Sequence, residues 1–363
     1  MSKLILDKDY SDWVADLSKR YRSSQIKAAV AVNEELLRFY WSLGHDIVER
    51  QDENKYGRGF FKALSSDLKA VLPEAKGFSV RNLYYIRDFY MMYKEILPQI
   101  GAKSPMQNST QSCEKDVESN LPQLGANLFR LPWGHHKLLI DKYISHPQIA
   151  LFYAKEAVDN GWSRAVLDHM LDTDLHLRQG KAISNFNLRL SQPAGDLAQE
   201  LTKDPYIFDF TNLTEPYQER ELKEALLAEI TRFLLELGEG FAYVGKEYRL
   251  KVGETEQFTD LLFYNLKLRC YCVIEVKVTK FEPGHLGQLG TYVTAVNHLL
   301  KTEQDNPTIG LLVCKTKDNV LAQYSLEGYN LPIGISQYQL EKLLPANFKS
   351  TLPTIEEIET KLK

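Results

Sequence analysis

The sequence predicts an α+β protein of two folded units, a mainly helical N-terminal domain followed by an α/β domain with a mixed sheet. Three observations carry this. The chain has 363 residues, longer than the ~100 to 200 usual for one domain. Apolar residues recur at three- and four-residue spacing through the first half. Beyond a stretch rich in Ser, Asn, Gln and Pro, one amphipathic helix pattern gives way to alternating, strand-like segments.

Composition bounds the function classes. Hydrophobic residues make up 44% and charged residues 25%, an ordinary globular balance far from that of a disordered chain. Lys plus Arg number 44 against 48 Asp plus Glu, a formal net charge of -4, so basic character has to be sought locally. No apolar run approaches the ~20 residues of a membrane-spanning helix. MSKLILDKDYSDW has acidic residues where a secretory signal would have its apolar stretch. A cytoplasmic location with no membrane partner is therefore expected. The four cysteines, Cys113, Cys270, Cys272 and Cys314, form no C-x-x-C pair, which argues against disulfides and tetrahedral zinc. Cys270 and Cys272 lie in an apolar run and read as core thiols.

In chain order, IKAAVAVNEELLRFYWSLGHDIVER and FFKALSSDLKAVL carry helical periodicity, and Ser79 is placed to cap the Tyr-rich helix that follows GFS. Gly57 and Gly59 in KYGRGF read as a turn, being too sparse for a phosphate loop. Residues 101–127 read as a flexible insertion, and helical character then runs from LPWGHHKLLIDKYI to about Gly180. The expected division is a helical recognition or assembly domain over 8–180, a linker over 181–204 and a catalytic domain over 205–345. That last domain opens with PYQERELKEALLAEITRFLLELGEG, a helix closed by Gly238 and Gly240. FAYVGKEYRLKV, QFTDLLFYN and LRCYCVIEVKV follow as strands, GHLGQLGTYVTAVNHLL as a helix and TIGLLVC as a buried strand. The order is α-β-β-β-α-β.

The chemistry concentrates in two of these strands. Residues two apart on a strand share a face, so Glu275 and Lys277 in VIEVKV project together. The short link from Asn265 to Leu268 makes the preceding strand an antiparallel neighbour, which carries Asp260 towards Glu275. Charges within apolar strands are costly unless paired or holding a metal. Two carboxylates and the Val276 carbonyl suit Mg²⁺, with Mn²⁺ as substitute, and leave coordination for phosphate and water. Phosphodiester hydrolysis is the implied reaction. A D-x(n)-E-x-K pattern alone would also fit an exposed hairpin whose ion pair contributes little.

The order and spacing in TDLLFYNLKLRCYCVIEVKVTK resemble the PD-(D/E)XK nucleases, of restriction-endonuclease-like fold, and CVIEVKVTK looks like the matching segment of archaeal Holliday-junction resolvases. The resemblance implies a metal-site glutamate on the first helix, and counting back from GFAYV assigns it to Glu229, with Glu236 two turns further on as the alternative register. It also implies a Q-x-x-x-Y helix motif, matched by Gln288 and Tyr292. Across nearly the whole chain, GFSVRNLYYIRDFY, GWSRAVL, KDPYIFDF, FLLELGEGFAYVG and PGHLGQLGTYV resemble the bacterial YhcG-type family.

The resemblance thus implies a Mg²⁺-dependent DNA endonuclease with Asp260, Glu275, Val276 and Glu229 as metal ligands. Lys277 would stabilise charge at the phosphate and Gln288 would position Lys277 or the phosphate, while Tyr292 serves nucleic acid or helix packing. Branched or foreign DNA in recombination, repair or defence fits, as does a binding or assembly protein of nuclease-like fold with little turnover. Arg81 and Arg87, six apart on one helix, are the phosphate-contact candidates of the N-terminal domain, which is expected to bind DNA or a protein partner. A homodimer suits cutting of both strands. His135 and His136 face different directions on a helix and read as packing or surface residues outside the site.

Overall fold

The computed structural model describes residues 8–52, 59–96, 128–211, 213 and 215–340. The chain divides into two compact units, Met1–Leu171 and Asp172–Lys363. The insertion expected over 101–127 lies outside the described residues.

The first unit is helical: α1 (Lys8–Asp52), α2 (Phe60–Val71), α3 (Val80–Tyr93), α4 (Trp133–Tyr143), α5 (Pro147–Asp159) and α6 (Arg164–Asp172). Ser79 caps α3 by accepting the Asn82 N–H at 3.3 Å. The C-terminal half of α1 buries Leu37, Tyr40 and Ile47, and α3 buries Leu83, Ile86 and Phe89. Gly44 lets the two helices approach closely, since a Cβ there would lie 2.6 Å from the Ile86 carbonyl oxygen. His135 and His136 are both buried, their Nε2 atoms 2.9 Å from the carbonyls of Trp162 and Leu128. Burial pushes His136 down to about 4, so it is a neutral core residue.

The second unit runs α7 (Leu175–Arg178), β1 (Ile183–Ser184), α8 (Phe186–Arg189), α9 (Ala194–Glu200), β2 (Tyr206–Ile207), α10 (Glu219–Ala228), α11 (Ile230–Leu237), β3 (Phe241–Val252), β4 (Thr255–Asn265), β5 (Cys270–Lys280), α12 (Gly284–Leu299), β6 (Ile309–Thr316), α13 (Asn319–Glu327) and β7 (Ile333–Gln339). The sheet order is β1-β7-β6-β5-β4-β3, with β2 also on β7. The hairpins β3–β4–β5 are antiparallel and β5–β6–β7 parallel, which makes the sheet mixed as expected. One face packs Leu261, Phe263, Ile274 and Val276 against Leu222 and Leu226 of α10 and Phe233 and Leu237 of α11. The other packs Leu262, Val273 and Leu312 against Leu289, Val293 and Val296 of α12. Cys270, Cys272 and Cys314 are free, buried thiols. Among the described residues no helix is long and apolar enough to cross a membrane.

Two expectations need correction. Residues 181–204 are no linker: β1 pairs with β7, and Phe186 and Ala198 are wholly buried in the core of the second unit. The polar residues that suggested a loop satisfy backbone groups instead. Asn185 donates to the carbonyls of Tyr329 and Leu331 and accepts the Ile333 N–H, while Gln199 donates to those of Gly180 and Ala182. The second correction is that the one long helix expected before β3 breaks at Glu229, whose φ of -110° and ψ of 42° leave the helical region and separate α10 from α11.

Candidate active site

The site is built where two strands part. The β4–β5 ladder pairs Asn265 with Cys270 and proceeds to Leu261 with Ile274. Asp260 and Glu275 are next in that register, and there the ladder stops. The Val276 N–H is instead 3.2 Å from Oδ2 of Asp260, which accepts it. β5 stays paired on its other side, Glu275 with Leu312 and Lys277 with Cys314. The two carboxylates therefore sit at a fork between a rigid central strand and its diverging neighbour. Glu275 is fully buried and Asp260 nearly so.

Helix α10 closes the fork with charges of both signs. Its start is set by a capping box, in which Gln218 accepts from the backbone at Glu221 and its own N–H donates to Glu221 Oε2 at 2.6 Å. Glu219 and Lys223 follow four residues apart on one face of the first turns. Lys223 Nζ lies 2.7 Å from Asp260 Oδ1 and 3.6 Å from Glu219 Oε1. Lys277 Nζ lies 3.4 Å from the same Glu219 oxygen and 2.9 Å from Glu275 Oε1. Three carboxylates and two ammonium groups thus alternate as Asp260, Lys223, Glu219, Lys277 and Glu275.

The electrostatics follow from this crowding. Burial first and the Asp260 charge second push Glu275 up to about 7, with Lys277 pulling the other way. Burial disfavours the ammonium of Lys223, but Asp260, Glu219 and Glu275 more than offset it and raise its pKa. Lys277 is raised likewise, burial being outweighed by Glu275, Glu219 and Asp260. His285, on α12, is lowered by burial and then by the Lys277 charge, which places the start of that helix beside the cluster.

Comparison with known proteins gives the family of the chain. Residues 199–353 match the family described as YhcG PDDEXK nuclease domain, and residues 16–178 match the DUF1016 N-terminal domain. The chain is 30% identical, over 92% of its own length and 92% of the relative's, to the Escherichia coli (strain K12) protein named "Putative nuclease YhcG". The chain belongs to the YhcG family. Its second unit is thus a PD-(D/E)XK nuclease domain, and the region matched as such contains the whole fork. Two solved structures show a weaker likeness. A repair endonuclease from Pyrococcus abyssi is 20% identical with a TM-score of 0.24, covering 36% of this chain and 50% of that one. An EndoMS–dsDNA complex is 21% identical with a TM-score of 0.26, covering 37% and 48%. The chain therefore spans about half the length of these structures, and at such scores the likeness carries no argument.

The side chains at the fork fit a hard divalent cation. Both carboxylate oxygens of Glu275 are buried without a hydrogen-bond partner among the described residues, an arrangement that is costly unless a cation completes it. Lys277 Nζ pairs with Oε1 at 2.9 Å, and among the described residues no ion pair reaches Oε2. The donors offered by Asp260 and Glu275 are oxygen, the chemistry of Mg²⁺ or Mn²⁺ rather than of a soft metal, while Glu219 faces the two ammonium groups.

Other residues singled out by this YhcG-family sequence lie elsewhere. Glu229 is half exposed at the α10–α11 break, 4.0 Å from Arg232, and Glu219 rather than Glu229 is the α10 carboxylate at the fork. Glu236, the alternative register, is buried with Arg178 on its carboxylate and Lys203 on its carbonyl, and it accepts the Ile207 N–H at 2.8 Å, so it anchors the core. Gln288 is exposed on α12 and donates to the Tyr292 hydroxyl at 2.9 Å, not to Lys277. Tyr292 is 5% exposed and packs in the α12 core, which removes it from any nucleic-acid surface. In the first unit Arg81 bonds the Tyr85 hydroxyl at 3.2 Å, and Arg87 pairs with Asp88 and lies over the rings of Phe61 and Tyr84. Glu219 and Lys223 were missed, although Lys223 interrupts the apolar face of Leu222 and Leu226 and so was an available signal.

Proposed function

We propose that this protein is a divalent-metal-dependent DNA endonuclease, hydrolysing phosphodiester bonds in cytoplasmic DNA with the fork of β4 and β5 as its active site. The observation that carries the reading is the buried pair Asp260 and Glu275 at the end of the β4–β5 ladder, with Lys277 at 2.9 Å from Oε1 of Glu275 and no ion pair at its buried Oε2 among the described residues. Asp260, Glu275 and the Val276 carbonyl would hold Mg²⁺, or Mn²⁺ in its place, and Glu219 would be the third carboxylate of the site. When bound, the metal supplies Lewis-acid polarisation of the phosphodiester and activation of a water.

The chain's own residues do the rest. Lys277, on rigid β5, presents its ammonium where negative charge develops on the scissile phosphate and stabilises it there. Lys223 neutralises Asp260 at 2.7 Å and would be free to meet the phosphate with a metal bound at the fork. Gln288 and Tyr292 hold the first turns of α12 in place behind the site. The helical first unit supplies recognition, with Arg81 exposed to a phosphate backbone or a partner protein.

The test is a cleavage panel of linear, branched and single-stranded DNA and of RNA, with Mg²⁺, Mn²⁺ or chelator. Cleavage with either metal and silence in chelator is the expected result. Undiminished cleavage in chelator overturns the metal site. No cleavage of any substrate, with DNA bound all the same, supports the reading of a binding or assembly protein.

A further inference from the structure

Helix α1 carries a surface that no element described in the first unit covers. Its buried residues Leu37, Tyr40, Gly44 and Ile47 all belong to its C-terminal half and to one side of it. At ~100° per residue, Tyr10, Trp13, Val14, Leu17, Tyr21, Ala28 and Val32 fall within an arc ~100° wide on the opposite side. Tyr21 is 66% and Val32 69% exposed, and between Tyr10 and Val32 no described side chain is buried. Exposed apolar side chains repeating along one side of a helix, here interrupted only by Ser24 and Gln25, mark a contact surface.

The spacing of the stripe narrows the kind of contact. Tyr10, Val14, Leu17, Tyr21, Ser24 and Ala28 succeed one another at intervals of four and three, the seam of paired helices. Charge then selects the occupant. Asp12 and Asp16 flank the first half of the seam, and Lys19, Arg20, Arg22 and Lys27 the second. Two copies in parallel would set the basic halves against each other. Two copies in antiparallel, centred near Lys19, set each acidic half beside the other's basic half, with Leu17 against Tyr21 and Tyr10 against Ala28 of the second copy.

We propose that α1 is a self-association surface on which a second copy of this chain lies antiparallel. The inference rests on the first unit alone and is independent of the reaction assigned to the second. Light scattering on the full chain should give twice the chain mass of 41.8 kDa, and Leu17→Glu should give the single mass. Tyr21→Lys is the milder variant at an exposed site, should also give the single mass, and must still unfold in a cooperative transition, at a temperature lowered by the loss of the second copy. For orientation, Tyr10→Cys and Ala28→Cys chains should form an oxidised cross-link when mixed, and neither should do so alone. A monomeric wild-type chain overturns the proposal, since the stripe is then covered by the chain itself or by nothing. Dimers persisting in both variants overturn the surface, and a cross-link in Tyr10→Cys alone overturns the antiparallel arrangement.

Discussion

Removing the charge of Glu275 should stabilise the metal-free protein while destroying its metal site. Burial and the nearby Asp260 raise this carboxyl from 4.5 to about 7, net of the attraction of Lys277. The unfolded chain releases the proton near the ordinary value and the folded chain retains it, so the folded state binds more protons between those limits. Stability therefore falls as pH rises from ~4.5 to ~7 and stays reduced above it. At ~1.4 kcal/mol per pH unit the ionised side chain costs about 3 kcal/mol at pH 8, an amount that metal binding offsets in the wild type. In Glu275→Gln the group stays neutral, so in chelator at pH 8 the second unit should melt ~6 to 12 °C higher than wild type, at ~2 to 4 °C per kcal/mol for a unit of this size. The assay is a thermal melt at pH 5 and pH 8, with chelator and with Mn²⁺. The gain should shrink at pH 5, and Mn²⁺ should stabilise the wild type alone. A Glu275→Gln protein less stable than wild type in chelator at pH 8 would refute the reasoning.

The same site makes further predictions. Wild-type cleavage should rise with pH up to about 7 at low metal concentration, and the midpoint should move to lower pH as metal is added, because metal and proton compete for Glu275; a midpoint independent of metal concentration in single-turnover assays would remove Glu275 from the ligand set. Asp260→Ala should abolish cleavage, and Glu219→Gln should impair it far more than Glu229→Gln. If the ranking of the two glutamate variants is reversed, the third carboxylate has been misassigned. Lys223→Met deletes the cation 2.7 Å from Asp260 and should tighten Mn²⁺ binding on the order of 10-fold, ~1.4 kcal/mol, as read by calorimetry; weaker binding would show that Lys223 supports the site rather than competing for it. Glu236→Ala leaves Arg178 buried without its partner and should cost ~3 to 5 kcal/mol in urea unfolding, whereas an unchanged midpoint would deny the pair an anchoring role.

How much of this was legible in the sequence depended on the range of the interaction. The juxtaposition of Asp260, Glu275 and Lys277 could be read because a strand has a period of two and a short hairpin sets register. Glu219 escaped because the assignment counted residues back from GFAYV along one unbroken helix. The break at Glu229 lies within LLAEITRF, where local propensity favours continuing the helix, so nothing nearby announces it. Residues 181–204 were misread for a related reason. Asn185 there satisfies backbone groups at the start of β7, and Gln199, brought up on α9, satisfies the carbonyls of Gly180 and Ala182, partners that composition cannot reveal.

The sequence by itself determined the class of each unit, the succession of β3, β4, β5, α12 and β6 along the chain and the central acidic and basic residues, since these follow from periodicity and from the cost of setting charges among apolar neighbours. Only the tertiary structure decided where the β4–β5 ladder ends, that Lys223 and Glu219 close the site, and that Glu236 and Tyr292 belong to the core. Each of those outcomes depends on which helix face meets which strand end, and long-range packing selects that among arrangements that local sequence leaves equally open.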